Sequence, residues 1–177
     1  FAMSQIDWPV EKLDIIVLLE TGDDATISAA RAAAFPVGTR RIVLPPGFPQ
    51  TKPRALNFGL AAARGDFVTI YDAEDRPDPG QLREAYAALI AGGEGLACVQ
   101  APLVADGRGG WLSANWGLEY GVQFGLTLPA LCAGRHAIAI GGTSNHFRKS
   151  ALLAAGGWDK FNMTEDADLG LRLARMG

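Results

Sequence analysis

Along the 177-residue chain, short continuous apolar runs alternate with stretches whose apolar residues recur every three or four positions. Runs of the first kind predict buried strands and stretches of the second kind predict helices with one apolar face. Asp14 to Glu20 is a strand by this rule, closed by Thr21-Gly22. Asp23-Asp24 then opens an Ala-rich helix to about Phe35, with its acids at the favourable N-terminal end. Arg41 to Leu44 is a second strand, stopped by Pro45-Pro46-Gly47. Lys52 to Arg64 is a helix with Leu56, Leu60 and Ala63 on one face and Gly65 as its stop. Phe67 to Tyr71 is a third strand, Pro79 to Ala91 a helix carrying Leu82, Tyr86 and Leu89, and Leu96 to Val104 a further strand. Such alternation predicts an α/β domain with a mostly parallel sheet and helices on both faces.

The pattern changes after Gly110. Trp111 to Leu128 reads as one long helix in which Asn115, Glu119 and Gln123 form a polar stripe. Two readings stand: a core helix with one wet stripe, or an amphipathic helix resting on a membrane or a partner segment. Gly141-Gly142-Thr143-Ser144-Asn145-His146-Phe147-Arg148 follows as loop and strand. The glycine pair allows either a tight turn or close approach of a substrate to the backbone.

Composition adds exclusions. Hydrophobic residues make up 49% and charged residues 20%, an ordinary globular balance that suits one domain. A net charge of −3 argues against nucleic-acid binding, which needs a basic face. Cys98 and Cys132 lie in apolar contexts without metal-type spacing and read as buried thiols. No apolar run is long enough to span a membrane.

Two clusters carry chemistry. The strand at Phe67 ends in Asp72-Ala73-Glu74-Asp75, three carboxylates within four residues. Acids crowded on a strand tip repel one another unless a cation shares them, and hard oxygen ligands suit Mg²⁺ or Mn²⁺ holding phosphates. The competing reading is a solvated loop in which Asp78 caps the next helix. The second cluster, Thr164-Glu165-Asp166-Ala167-Asp168, opens an amphipathic helix with Thr164 as its N-cap. Acids in a first helical turn are favoured by the dipole alone. A carboxylate there can also serve as a general base toward a hydroxyl.

In this order and spacing the motifs resemble the inverting family 2 glycosyltransferases of GT-A fold. The membrane-associated bacterial branch related to cellulose synthase and the phage N4 adsorption protein B group is the most similar. Asp72-Ala73-Glu74 matches the DxD position with Glu in place of the second Asp, and Thr164-Glu165-Asp166 stands as TED. Lys52-Pro53-Arg54-Ala55-Leu56-Asn57 is similar to a KxGxLN helix start, from which Pro53 and Ala55 depart. Gly156-Gly157-Trp158-Asp159 precedes TED as it does in relatives.

The resemblance implies that Asp72 and Glu74 bind Mg²⁺ or Mn²⁺ and that Asp166 is the catalytic base. Glu20, Lys52 and Asp72 would contact a nucleotide sugar, UDP-linked by family habit. Glu20 lies in Glu20-Thr21-Gly22-Asp23 rather than the usual Asp-Asp-Gly. Gly142, Thr143, Ser144 and Glu165 would line the path of a saccharide acceptor. His146 reads as structural, and Trp158 either as core or as a sugar-stacking ring. The implied activity is metal-dependent transfer of a hexose in polysaccharide synthesis. The implied location is the cytoplasmic face of the bacterial inner membrane, reached through segments absent from this chain.

The whole of 1–177 is expected to be one catalytic domain, with a nucleotide-sugar half at about 10–105 and an acceptor half at about 106–177. The first family strand, with its Pro-x-Tyr-Asn-Glu-like end, and the Gln-x-x-Arg-Trp motif beyond TED are not found, so a fold truncated at both ends is expected. A fragment of this kind is expected to fold and to turn over poorly. A non-catalytic nucleotide-sugar or partner-binding domain and a nucleotidyltransferase are the alternatives.

Overall fold

A computed structural model describes residues 2–105 and 109–176. After two short 3-10 turns, the order is β1 (Ile16–Leu19), α1 (Asp24–Ala32), β2 (Arg40–Val43), α2 (Lys52–Ala62), β3 (Phe67–Ile70), α3 (Gln81–Ala91) and β4 (Cys98–Gln100). Then come α4 (Trp111–Val122), a π-helical stretch at Gln123–Thr127, α5 (Leu128–Ala133), β5 (Asn145–Arg148), α6 (Lys149–Ala154) and α7 (Glu165–Arg175). The boundary expected between the two halves of the domain falls at residues outside those described.

β1 and β2 pair in parallel, Ile16 opposite Arg40 through Leu19 opposite Val43. The other three strands form a sheet in the order β3-β5-β4, with β5 antiparallel to both neighbours. The α/β class holds, and the antiparallel strand is the feature that helix-strand alternation did not reveal. β5 enters after the long 111–144 excursion instead of a simple helical crossover, so nothing constrains it to run parallel. Its sequence, Asn-His-Phe-Arg, is also too short to announce its direction.

Phe147 in β5 is fully buried opposite Val68 and Cys98, with its ring edge-on to Trp158 at 5.8 Å. Around this pair gather Leu60 of α2, Ile70 of β3, Leu152 of α6, and Leu169 and Leu173 of α7. A smaller cluster of Leu19, Ile27 and Ala30 seats α1 on β1. Helix α7 comes close to the main chain before β5: a Cβ on Gly170 would meet the Ile138 carbonyl oxygen at 2.5 Å. Glycine is therefore what lets the TED helix lie against residues 138–140.

Between the two sheets lies an apolar groove of about 730 Å³, lined by Ile16 and Leu18 of β1, Val68 of β3, Leu56 and Leu60 of α2, and Tyr86 of α3. Among the described residues, neither β1 nor β3 has a second hydrogen-bonded strand, so both offer a free edge. The purified chain is expected to enhance the fluorescence of anilinonaphthalene sulfonate while still melting cooperatively. A folded chain silent to the dye would mean that the groove is closed in solution.

Four expectations need correction. The helix from Trp111 is not a core helix, since α4 contains no buried residue. Trp111 and Leu118 stand 80% and 67% exposed, and Trp116 stacks on its neighbour Tyr120 rather than on the domain. Cys132 is exposed and Cys98 only partly buried by area. Thr164 makes no side-chain cap; its hydroxyl instead donates to Asn162 Oδ1 at 3.2 Å. Asp78 does not cap α3 either, since the N-cap is Gly80 without a side-chain cap; its carboxylate accepts the Gly80 N–H at 2.8 Å in the turn before the helix.

Candidate active site

α2 begins at Lys52 immediately after the extended residue Thr51, with Pro53 in its first turn. Proline is suited there because the missing N–H has no intrahelical partner in any case. This places the Lys52 ammonium over the end of β3. Nζ lies 2.5 Å from Asp72 Oδ1 and donates to the Gly142 carbonyl oxygen at 2.6 Å. A Cβ on Gly142 would stand 3.1 Å from Asp166 Oδ2 and 3.6 Å from Lys52 Nζ, so backbone, base candidate and cation meet at one point. Residues from three distant parts of the chain, Lys52, Asp72, Gly142 and Asp166, thus form one cluster.

Asp166 is the second residue of α7. Its carboxyl is pushed up to about 6, chiefly by burial and then by the neighbouring charge of Glu165, with Asp72 adding a little. The Lys52 ammonium pulls the other way. So does the indole N–H of Trp158, which lies near the carboxyl but short of a full hydrogen bond. A carboxyl in this range is a base near neutral pH and can hold a proton after accepting it.

Asn57 of α2 holds Trp158 from both sides of its backbone, donating to its carbonyl at 2.7 Å and accepting its N–H at 3.0 Å. The Asn of the KxGxLN-like segment therefore fixes the Gly156-Gly157-Trp158 turn. Gly157 allows this with a left-handed φ of 71° and a position where any Cβ would strike Asn57.

The three acids at the β3 tip have separate roles. Asp72 pairs with Lys52, Glu74 is exposed, and Asp75 turns inward to accept the Asp72 N–H at 2.7 Å. Among the described residues no three His, Cys, Asp or Glu side chains converge as a metal cage. Asp72 and Glu74 still fit an ion that draws its other oxygens from substrate phosphates and water.

The remaining predicted residues are placed less uniformly. Glu165 is buried beside Asp166. Thr143 faces the β3 tip, its Oγ1 being 3.3 Å from the Asp72 N–H. Ser144 is buried and tied into the sheet, its N–H bonding to the Ile70 carbonyl and its carbonyl to the Ala101 N–H. Glu20 pairs with the buried Arg54 at 3.4 Å, leaving Oε1 buried without a partner. His146 is 3% exposed, with its ring nitrogen Nδ1 on Thr69 and burial pushing it down to about 4, so it is neutral. Asn57, Arg54 and Asp75 stand in motifs that the sequence shows, but it gives them no role of their own. Polar residues on a predicted helix or in an acidic turn look solvated until the partner strand is known.

An acid-tipped strand, a lysine at the facing helix start and a half-buried carboxyl thus meet on one α/β scaffold. The fold agrees with a solved structure, the mannosyltransferase PcManGT from Pyrobaculum calidifontis in complex with GDP-Man and Mn²⁺. That likeness has a TM-score of 0.70 at 21% identity and covers 99% of this chain and 47% of that one. The model of the family "Glycosyltransferase like family 2" matches residues 2–177, and the chain belongs to that family.

Among curated relatives, the probable glycosyltransferase YdaM of Bacillus subtilis (strain 168) is 26% identical over 192 residues, covering 99% of this chain and 42% of YdaM. Cellulose synthase 2 of Novacetimonas hansenii is 28% identical over 184 residues, 97% of this chain and 11% of that protein. The probable glucomannan 4-beta-mannosyltransferase 1 of Arabidopsis thaliana is 32% identical over 120 residues, 63% and 20% respectively. The chain thus spans less than half the length of these relatives. Among the described residues no helix is long and apolar enough to cross a membrane.

Proposed function

We propose that this chain is the catalytic domain of an inverting glycosyltransferase that moves a hexose from a nucleotide sugar to a saccharide acceptor in polysaccharide synthesis. The observation that carries the reading is the meeting of Asp72, Lys52, the Gly142 carbonyl and Asp166 at one point. It puts a phosphate-handling end and a base within reach of one sugar. Asp166 takes the proton of the acceptor hydroxyl. The freed oxygen forms its bond to the anomeric carbon as the bond to the diphosphate oxygen breaks on the opposite face, which inverts the centre. Lys52 moves from Asp72 onto the departing phosphate charge. Mn²⁺ or Mg²⁺, when held by Asp72 and Glu74, supplies Lewis-acid stabilisation of that diphosphate. Gly142, Thr143 and Glu165 border the acceptor side. Glu20, with its free buried oxygen beside Arg54, faces the nucleotide base.

The parent protein, by family habit, works at the cytoplasmic face of the bacterial inner membrane. The test is calorimetric titration of UDP and of GDP, with and without Mn²⁺, into the chain and its Asp72→Ala variant. Metal-dependent binding of one nucleotide, lost in the variant, is the expected result. Binding that ignores both metal and Asp72 would overturn the site.

A further inference from the structure

Three acids within four residues at a strand tip would ordinarily be read as sharing one task, but their environments divide them. Asp72 is engaged by Lys52 and Glu74 lies exposed. Asp75 is folded back: Oδ2 accepts the Asp72 N–H at 2.7 Å and also the hydroxyl of Thr143. A hydroxyl has one proton. Its contact to a carboxylate outcompetes the longer one to the Ile70 carbonyl at 3.4 Å, because charge-assisted bonds are the stronger kind. The Asp72 N–H in turn lies 3.3 Å from Thr143 Oγ1, so it is shared between the two.

These bonds close a ring. Asp75 links the Asp72 backbone to Thr143, Thr143 adjoins Gly142, the Gly142 carbonyl accepts from Lys52, and Lys52 returns to the Asp72 side chain. The ring joins the turn that carries the metal-binding acids to the loop that faces Asp166. Nothing else in it is covalently rigid: residues 72–75 form a surface turn, and Ser144 at the loop's far end holds a left-handed φ of 55°.

We propose that Asp75 is a positioning residue that locks the Asp72 turn to the Gly142-Thr143 loop, setting donor and acceptor sides in register, and that it is not itself a metal ligand. The proposal rests on the reading given under Proposed function. A carboxylate receiving two hydrogen bonds is worth enough that breaking the lock weakens Mn²⁺-dependent nucleotide binding by about tenfold.

The experiment compares wild type with Asp75→Ala, Thr143→Val, Thr143→Ser and the Asp75→Ala/Thr143→Val double variant. Three quantities are read: UDP affinity in Mn²⁺, hydrogen exchange of the Asp72 amide by NMR, and melting temperature. Asp75→Ala and Thr143→Val are each expected to weaken binding about tenfold and to speed Asp72 exchange about tenfold, with the double variant no worse than the poorer single. Thr143→Ser is expected to recover what Thr143→Val loses. Leu152→Ala, a buried position in α6, supplies a control of lowered stability. Additive losses, unchanged affinity in both singles, or an affinity loss matched by Leu152→Ala at equal melting temperature would overturn the proposal. A wild type that binds no nucleotide in Mn²⁺ defeats the functional reading instead. The Asp72 exchange data then decide the lock alone, with unchanged exchange in both variants refuting it.

Discussion

Asp166→Asn is expected to lower sugar transfer by about 10²- to 10⁴-fold in a transfer-competent preparation while leaving nucleotide affinity near that of the parent. Asn keeps the shape of the side chain and cannot take the acceptor's proton. The raised carboxyl gives two further signatures. Transfer by the parent is expected to climb with pH through about 6 as Asp166 loses its proton. The stability effect runs in the opposite direction. With a folded value of about 6 against an ordinary 3.8, the neutral acid is favoured in the folded state. Stability is therefore lost as pH rises from about 4 to about 6, and the penalty is complete above that. Asp166→Asn escapes it, so the variant is expected to melt at or above the parent at pH 8 and level with it below pH 4. Full transfer by the variant, or a variant clearly less stable at pH 8, would remove Asp166 from the role of buried base.

Phe147→Ala is expected to cost about 3–5 kcal/mol in denaturant unfolding, a large share of the total for a domain of this kind. Phe147 is wholly buried, opposite strand partners on both sides and against Trp158. No neighbour can collapse into the space without dragging β5 or the Gly156-Gly157-Trp158 turn. Phe147→Leu refills most of the volume and is expected to recover most of the stability. A Phe147→Ala protein that unfolds within 1 kcal/mol of the parent, as read by the same titration, would show the core to be centred elsewhere.

How much of this could be read in advance varies from element to element. The α2 helix was legible to within two residues, because Pro53, the apolar face and the closing glycine all agree. β3 was legible for the same reason, a short apolar run cut off by acids and prolines. β4 was overextended: the apolar letters run on to Val104, but only Cys98–Gln100 pairs with β5. The helix at Trp111 misled because an apolar stripe has the same period whether it meets a core or open solvent, and only packing separates the two. Thr164 and the cysteines misled similarly, since cap residues and burial depend on neighbours that local letters do not name.

The sequence by itself determined the α/β class, the positions of the main helices and strands, the acids at the β3 tip and at the start of α7, and, through motif order, the family. These are properties of local periodicity, turn chemistry and spacing, which travel with the chain whatever it folds against. Only the tertiary structure decided that β5 runs antiparallel, that Asp75 is spent on Asp72 and Thr143, and that α4 covers no core. It alone also decided that Lys52 stands between Asp72 and Gly142 beside Asp166. Each of these depends on groups tens of residues apart arriving within a few ångströms. The hydrogen bonds and burial that set an acid's role arise there, and no local pattern encodes them.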